Sequence, residues 1–273
     1  MNDISKILLI TDLDGTLLTK DKTISETDLE AINTFRKKGG LFSIATGRTI
    51  QAVKPYFDVL KPDMPVILYN GAMIYDPKNK KILRSEFLKS NAGDIIKDIL
   101  ERFPFAACEI LKADGIYVVK NNEYEQKHIQ VCNVTPVYCD IDDMECSGWL
   151  KVLFAMNPEK SDEVWNYVSG YKNSGDFVRS SAMFIEMLPE NVSKGYALKK
   201  YRELAGLDSS YRIAAVGDYN NDIEMLEYAD YGIAPANACD EVKKSACFVS
   251  DKSCSENAVA DAVKYIFTEA FNS

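Results

Sequence analysis

Apolar positions follow two different patterns along this chain. In the N-terminal third, short unbroken apolar runs alternate with segments of helical period. K-I-L-L-I, L-F-S-I-A and P-V-I-L-Y are the runs. Between the first two lies S-E-T-D-L-E-A-I-N-T-F-R-K-K-G-G, where Leu29, Ile32 and Phe35 share one helical face. Ser25 is placed to cap that helix, Asp28 occupies the capping-box position, and Gly39 stops it. Acidic residues in the first turn and basic ones in the last agree with the helix dipole. Continuous apolar strands separated by helices predict parallel strands covered on both faces.

From about Arg84 to Pro189 the pattern changes. A-C-E-I-L-K-A-D-G-I-Y-V-V-K predicts a hairpin turning at Asp114-Gly115. W-L-K-V-L-F-A-M predicts another strand, S-D-E-V-W-N-Y-V a helix capped by Ser161, and F-V-R-S-S-A-M-F-I-E-M-L two strands about a turn of small residues. Tyr117, Trp149 and Phe184 in this region fit a core as well as a pocket wall. After Pro189 the first pattern resumes: helix S-K-G-Y-A-L-K-K-Y-R-E-L-A-G, strand R-I-A-A-V, then G-D-Y-N-N-D and a helix. The expected class is α/β: a doubly wound, Rossmann-like parallel core (residues 1–84 and 189–273) interrupted by an α+β domain (85–188). Ligands of such cores bind at the carboxyl ends of the strands.

Composition narrows the chemistry. The 273 residues carry a net charge of −9, which disfavours nucleic acid and anionic membrane as partners. No apolar run approaches the roughly 18 residues of a membrane span, and the opening segment lacks the apolar core of a signal peptide. Seven cysteines, an odd number without metal-type spacing, point to free thiols in a reducing, cytoplasmic setting. The single histidine, His128, lies in the polar stretch N-N-E-Y-E-Q-K-H and reads as a solvated residue. Histidine-driven triads and multi-histidine metal sites are thereby disfavoured, leaving carboxylates to run the chemistry. A monomer is the default expectation.

Polar signatures stand at four element ends. Asp12 and Asp14 follow the first strand, Thr46-Gly47-Arg48 the second; Lys194 opens a helix, and Gly217 to Asp222 follow R-I-A-A-V. Each alone fits ordinary turn or cap chemistry. Together they meet the demands of phosphoryl transfer. A divalent cation must screen an anionic nucleophile from an anionic phosphate, and carboxylate oxygens suit magnesium. Aspartate is a competent nucleophile, a second carboxyl can move the proton, and a hydroxyl, amides and an ammonium can hold the transferring oxygens.

D-L-D-G-T-L-L, S-I-A-T-G-R, V-S-K-G-Y-A-L and V-G-D-Y-N-N-D-I-E-M-L resemble the four ordered motifs of the haloacid dehalogenase superfamily of phosphatases. Y-N-G-A and G-I-A-P-A-N-A-C-D-E-V-K are similar to its Cof-type branch, whose large αβ cap is inserted between the second and third motifs. The resemblance implies a magnesium-dependent phosphatase acting on small phosphorylated metabolites, sugar phosphates first, through an aspartyl-phosphate, with specificity set by the cap. It implies that Asp12 attacks phosphorus and that Asp14 is the general acid/base. Magnesium would be held by Asp12, the Asp14 carbonyl and Asp218. Thr46, Gly47, Lys194 and Asn221 would bind phosphate, with Lys194 also orienting Asp12. Asp222, Arg48 and Asn70 would play supporting parts. A phosphomutase is the alternative within the superfamily; a non-catalytic phosphate-sensing module is the alternative outside it. Two departures concern loop shape: Ala236 stands where a glycine is usual, and S-E-N-A-V-A lacks the glycine expected before the last helix.

Overall fold

The computed structural model describes residues 3–171 and 175–272; the remaining residues included in the expected domain bounds (1–2, 172–174 and 273) lie outside the described residues. The strands are β1 (Ile7–Thr11), β2 (Leu41–Ile44), β3 (Val66–Leu68), β4 (Met73–Asp76), β5 (Lys81–Ser85), β6 (Ala107–Lys112) and β7 (Ile116–Lys120). They continue with β8 (Val137–Tyr138), β9 (Trp149–Ala155), β10 (Asp176–Arg179), β11 (Phe184–Leu188), β12 (Arg212–Val216), β13 (Tyr231–Ala234) and β14 (Phe248–Val249). The helices are α1 (Glu26–Lys37), α2 (Ile50–Leu60), α3 (Ala92–Arg102), α4 (Glu123–Cys132) and α5 (Pro158–Val168). They end with α6 (Lys194–Leu204), α7 (Ile223–Tyr228), α8 (Asp240–Ser245) and α9 (Ala258–Asn272).

The chain divides into two compact units. The first comprises Met1–Thr46, Tyr56–Leu83 and Ser193–Ser273; the second comprises Gly47–Pro55 and Arg84–Val192. Expected boundaries at 85 and 188 thus differ by a few residues from the observed ones, and Gly47–Pro55, expected with the core, groups with the second unit.

The first unit is built on a five-stranded sheet in the order β14-β13-β12-β1-β2, parallel at every pairing. Every residue of β1 is buried, as its unbroken apolar run requires of a strand packed on both faces. Ser25 caps α1 by accepting from the Asp28 amide, and Asp28, itself buried, accepts from the Ala260 amide at 2.7 Å, tying α1 to the start of α9. The third apolar run meets the parallel expectation only in part. β3 joins the parallel set only through the bridge between Ala45 and Ile67, and its ladder runs antiparallel to β4 in a separate sheet, β3-β4-β5. The tight left-handed turn at Tyr69 and Asn70 (φ 52° and 55°) sends the chain straight back along β3 instead of into a crossover helix.

The second unit has a six-stranded sheet in the order β10-β11-β9-β6-β7-β8, antiparallel except where β8 runs parallel to β7. Its hairpin turns at Asp114-Gly115, with the Lys112 amide donating to the Gly115 carbonyl. Cys108, Ile110, Val152, Phe154, Ile185 and Met187 form its core with Ile95, Ile96 and Ile99 of α3 and Val164 and Val168 of α5. The expected cap of α5 is corrected. The helix begins at Pro158, and Asn157 caps it by accepting from the Glu159 amide, while Ser161 is buried within it. Proline at the first helical position presets φ, and the asparagine before it supplies the acceptor, so nucleation occurs one turn earlier. Trp149 is core, its Nε1 donating to the Glu145 carbonyl.

All seven cysteines are free thiols. Among the described residues no helix is long and apolar enough to cross a membrane.

Candidate active site

The parallel ladder of the first unit delivers three of the four motifs to one edge of its sheet. The Asp12 amide donates to the Val216 carbonyl, Ala45 N to Thr11 O, and Gly217 N to Ile233 O, so β1, β2 and β12 end in register. Asp12, Thr46 and Asp218 are the polar residues just beyond those ends. Such placement needs no helix flexibility: the hydrogen-bond register fixes it to within a residue.

At the centre is Lys194, the first residue of α6, whose Ser193 cap accepts from the Tyr196 amide. Its side chain is 1% exposed, and Nζ donates to Asp12 Oδ1 at 2.7 Å and to Asp222 Oδ1 at 2.6 Å. Two buried carboxylates thus share one buried ammonium. The second oxygen of Asp222 accepts from the amides of Asp218 (3.0 Å) and Tyr219 (3.2 Å), which orders the whole G-D-Y-N-N-D loop. Asp218 is held from the other side by the Thr16 hydroxyl, donating to Oδ1 at 2.9 Å. Gly15 is left-handed (φ +83°), and a Cβ there would collide with the Asp218 carboxylate. The glycine therefore lets the D-x-D-G loop and the D-x-x-N-D loop touch.

Asn221 and Asn70 also meet: Asn221 Nδ2 donates to Asn70 Oδ1 at 3.0 Å. Asn70 sits in the left-handed turn after β3, and its amide donates to the Thr46 carbonyl at 3.1 Å. Thr46 is buried, its own amide bonded to Ile67 O. Asp14 lies toward solvent, 38% exposed, and pairs with Lys22 at 2.7 Å. Gly47 and Arg48 fall in the second unit's share of the chain. There the Gly47 carbonyl accepts from buried Lys151 at 2.8 Å, and Arg48 Nη1 donates to the Ala52 carbonyl.

The electrostatics reflect dense negative charge. Burial pushes the Asp12 carboxyl well above the usual carboxylate range, Lys194 pulls it back, and Asp222, Asp218 and Asp14 push it up again. Asp218 is raised to about 7, by burial first and then by Asp222. For Lys194, burial works against the charge, yet Asp12 and Asp222 outweigh it and hold the ammonium protonated. Asp12, Asp218 and Asp222 each present an oxygen within 4.8 Å of the others.

Three contributors escaped sequence reasoning. Lys22 reaches Asp14, and nothing in its spacing from the aspartates announces it. Thr16 bonds Asp218 across the site, 202 positions along the chain. Asn237 donates to the Gly15 carbonyl at 2.8 Å and accepts from the Cys254 amide, pinning the D-L-D-G loop from the P-A-N-A segment. The loop-shape departures resolve here too. Ala236 keeps an ordinary backbone bond to Lys252 O, and Asn257 takes a left-handed conformation (φ 73°), which asparagine tolerates nearly as well as glycine.

Comparison with known proteins agrees with this geometry. A family model described as haloacid dehalogenase-like hydrolase matches residues 9–263. The 5-amino-6-(5-phospho-D-ribitylamino)uracil phosphatase YwtE of Bacillus subtilis is 30% identical, over 91% of this chain and 94% of that protein. A second enzyme of that name from the same organism, YitU, is 29% identical over 88% and 90%. Among solved structures, a haloacid dehalogenase-like hydrolase from Bacteroides thetaiotaomicron superposes with a TM-score of 0.81 at 23% identity, covering 95% of this chain and 99% of that one.

Proposed function

From the premise that this chain belongs to the haloacid dehalogenase-like hydrolases, we propose that it is a magnesium-dependent phosphatase of small phosphorylated metabolites, working through an aspartyl-phosphate at Asp12. The observation that carries this reading is the buried Asp12–Lys194–Asp222 arrangement at the end of β1, with Asp218 beside it. A lysine between two aspartates fixes Asp12 and pulls its carboxyl back toward the ionised form against burial and the neighbouring carboxylates, which favours a carboxylate nucleophile.

The donor set fits magnesium. Lys194 bonds Oδ1 of Asp12 and Thr16 bonds Oδ1 of Asp218, while Asp12 and Asp218 each bring a carboxylate oxygen to one cluster, and carboxylate oxygens suit magnesium. The Asp14 carbonyl is the third protein ligand in this reading. When bound, the cation screens the approach of phosphate to carboxylate. The chain's own residues do the rest. Asp12 attacks phosphorus as the bond from phosphorus to the leaving oxygen breaks, and that oxygen takes a proton from Asp14, which has left Lys22 and been protonated from solvent before the step. Water then attacks the acyl phosphate, Asp14 accepts its proton, and phosphate leaves with Asp12 restored. Thr46, Asn221 and Lys194 bind the phosphoryl oxygens in both steps.

Sugar phosphates head the proposed substrates. The two Bacillus relatives are named for a phosphoribityl compound, a terminal phosphate monoester on a polyol chain, and that chemistry matches the proposed class. The test is release of inorganic phosphate from p-nitrophenyl phosphate and a panel of sugar phosphates, nucleotides and cofactor phosphates. Turnover that needs magnesium and stops with chelator is expected. No turnover on any ester would overturn the reading.

A further inference from the structure

The second unit contains a cluster of ionisable side chains that phosphoryl transfer does not use. Glu109 lies in β6, while Glu125 and His128 stand one turn apart on α4 and share a face of that helix. Both glutamates are wholly buried. Among the described residues none of their four carboxylate oxygens has a hydrogen-bond partner outside the pair, although buried polar atoms are almost always paired. His128 Nδ1 lies 3.4 Å from Glu109 Oε1 and 4.0 Å from Glu125 Oε2. One nitrogen and two oxygens, one from each residue, lie within 4.8 Å of one another.

No lysine settles the imbalance. Lys151 acts on Glu109 through its charge, but its Nζ is committed to Glu186 at 3.0 Å and to the Gly47 carbonyl. Burial, with Glu125 beside it, pushes the Glu109 carboxyl well above the usual range, and burial pushes Glu125 to about 7. Two buried acids whose one recorded side-chain hydrogen bond is to each other, with a single imidazole beside them, amount to a site short of positive charge.

We propose that Glu109, Glu125 and His128 form a binding site for a divalent transition-metal ion of the zinc class, in a different unit from the Asp12–Asp218 cluster. The donor chemistry selects the ion: imidazole with two carboxylates suits zinc, whereas magnesium takes oxygen alone. The spacing suits it as well. Zinc bonds of about 2.1 Å set tetrahedral ligands roughly 3.4 Å apart. The Glu109–His128 separation already has that value. Glu125, at 4.0 Å from His128, closes the difference of about 0.6 Å by a small side-chain rotation. His128, 20% exposed, provides the entry path, and the Phe184 ring, 4.9 Å away, holds the imidazole from the side. A dication then neutralises both carboxylates and ties α4 to β6, with water at the fourth position.

The test uses the full chain carrying Asp12→Asn and Asp218→Asn, so that the first cluster cannot supply the signal. Zinc is the probe, with bound metal counted after dialysis and thermal unfolding followed with and without it. The parent should retain one equivalent more than the same protein carrying Glu109→Gln with Glu125→Gln, which preserves shape. Counting differences between proteins cancels any zinc held by the cysteines. His128→Ala alone should weaken zinc binding at least about tenfold and remove the zinc-dependent rise in unfolding temperature. Equal zinc content and equal thermal shifts in parent and variants would overturn the proposal and leave the cluster holding protons instead.

Discussion

Each unit of this protein buries three ionisable side chains together, and the two clusters are balanced in different ways. In the first unit Lys194 stands between Asp12 and Asp222, so each carboxylate has an ammonium within 2.7 Å. In the second, Glu109 and Glu125 lie against each other with an imidazole at 3.4 and 4.0 Å. Lys151 acts on Glu109 only through its charge, and among the described residues no group outside the pair donates to the pair's oxygens. The first cluster carries its own countercharge in Lys194, which draws Asp12 toward the ionised form, and a cation at Asp12 and Asp218 would complete that ionisation. That is what a nucleophile needs, because a protonated carboxyl does not attack phosphorus. The second cluster is complete only when protons or a cation are added. Buried charge can thus be a built-in tool or an unfilled demand, and the position of the lysine separates the two.

The largest effects should come from breaking the first cluster. Asp12→Asn keeps the shape and one acceptor for Lys194 but removes the nucleophile, and should lower phosphate release by at least about 10³-fold. Rate above that bound, in protein free of wild-type contamination, would remove Asp12 from the reaction. Asp14→Asn should cost about 10²- to 10⁴-fold, the usual worth of a positioned proton carrier. Because Asp14 is solvent-facing and outside the buried triad, its loss should leave urea unfolding unchanged. A near-normal rate would give the proton to another group.

These losses also measure how far the sequence alone could be read. Asp12, Asp218 and the Thr46 loop were legible because a parallel sheet turns strand ends into fixed coordinates, and unbroken apolar runs reveal such strands. Lys194 was legible through its resemblance-bearing motif, but its bond to Asp222 closes over 28 residues and had only a suspected partner. Thr16 to Asp218 spans 202 positions and Asn237 to Gly15 spans 222, so no local spacing encodes either. The parallel direction of β3 beside β2 was legible, but its antiparallel return to β4 was missed, because periodicity reports burial and is silent on where a left-handed turn reverses the chain. His128 was misread for a related reason: a polar neighbourhood in sequence says little about what β6 brings across from outside the helix. The cluster around it depends on Glu109, which looks in sequence like the polar position of an alternating strand.

Stability offers a finer test of the contrast, with opposite signs for the two clusters. Lys194→Ala leaves Asp12 and Asp222 buried against each other without their shared ammonium, which should destabilise the fold by about 3–5 kcal/mol in urea unfolding. Magnesium should restore part of that loss. Glu109→Gln is the smallest effect and the sharpest contrast. With chelator present it removes one of two buried acids that have no donor outside their own pair, so stability should hold or rise by about 1 kcal/mol. The gain follows because a neutral amide costs less to bury than a carboxyl forced to ionise or to take up a proton. A loss of several kcal/mol on Glu109→Gln in chelator would mean that the second cluster already balances its charges, as the first does with Lys194. The distinction between the two units would then fail.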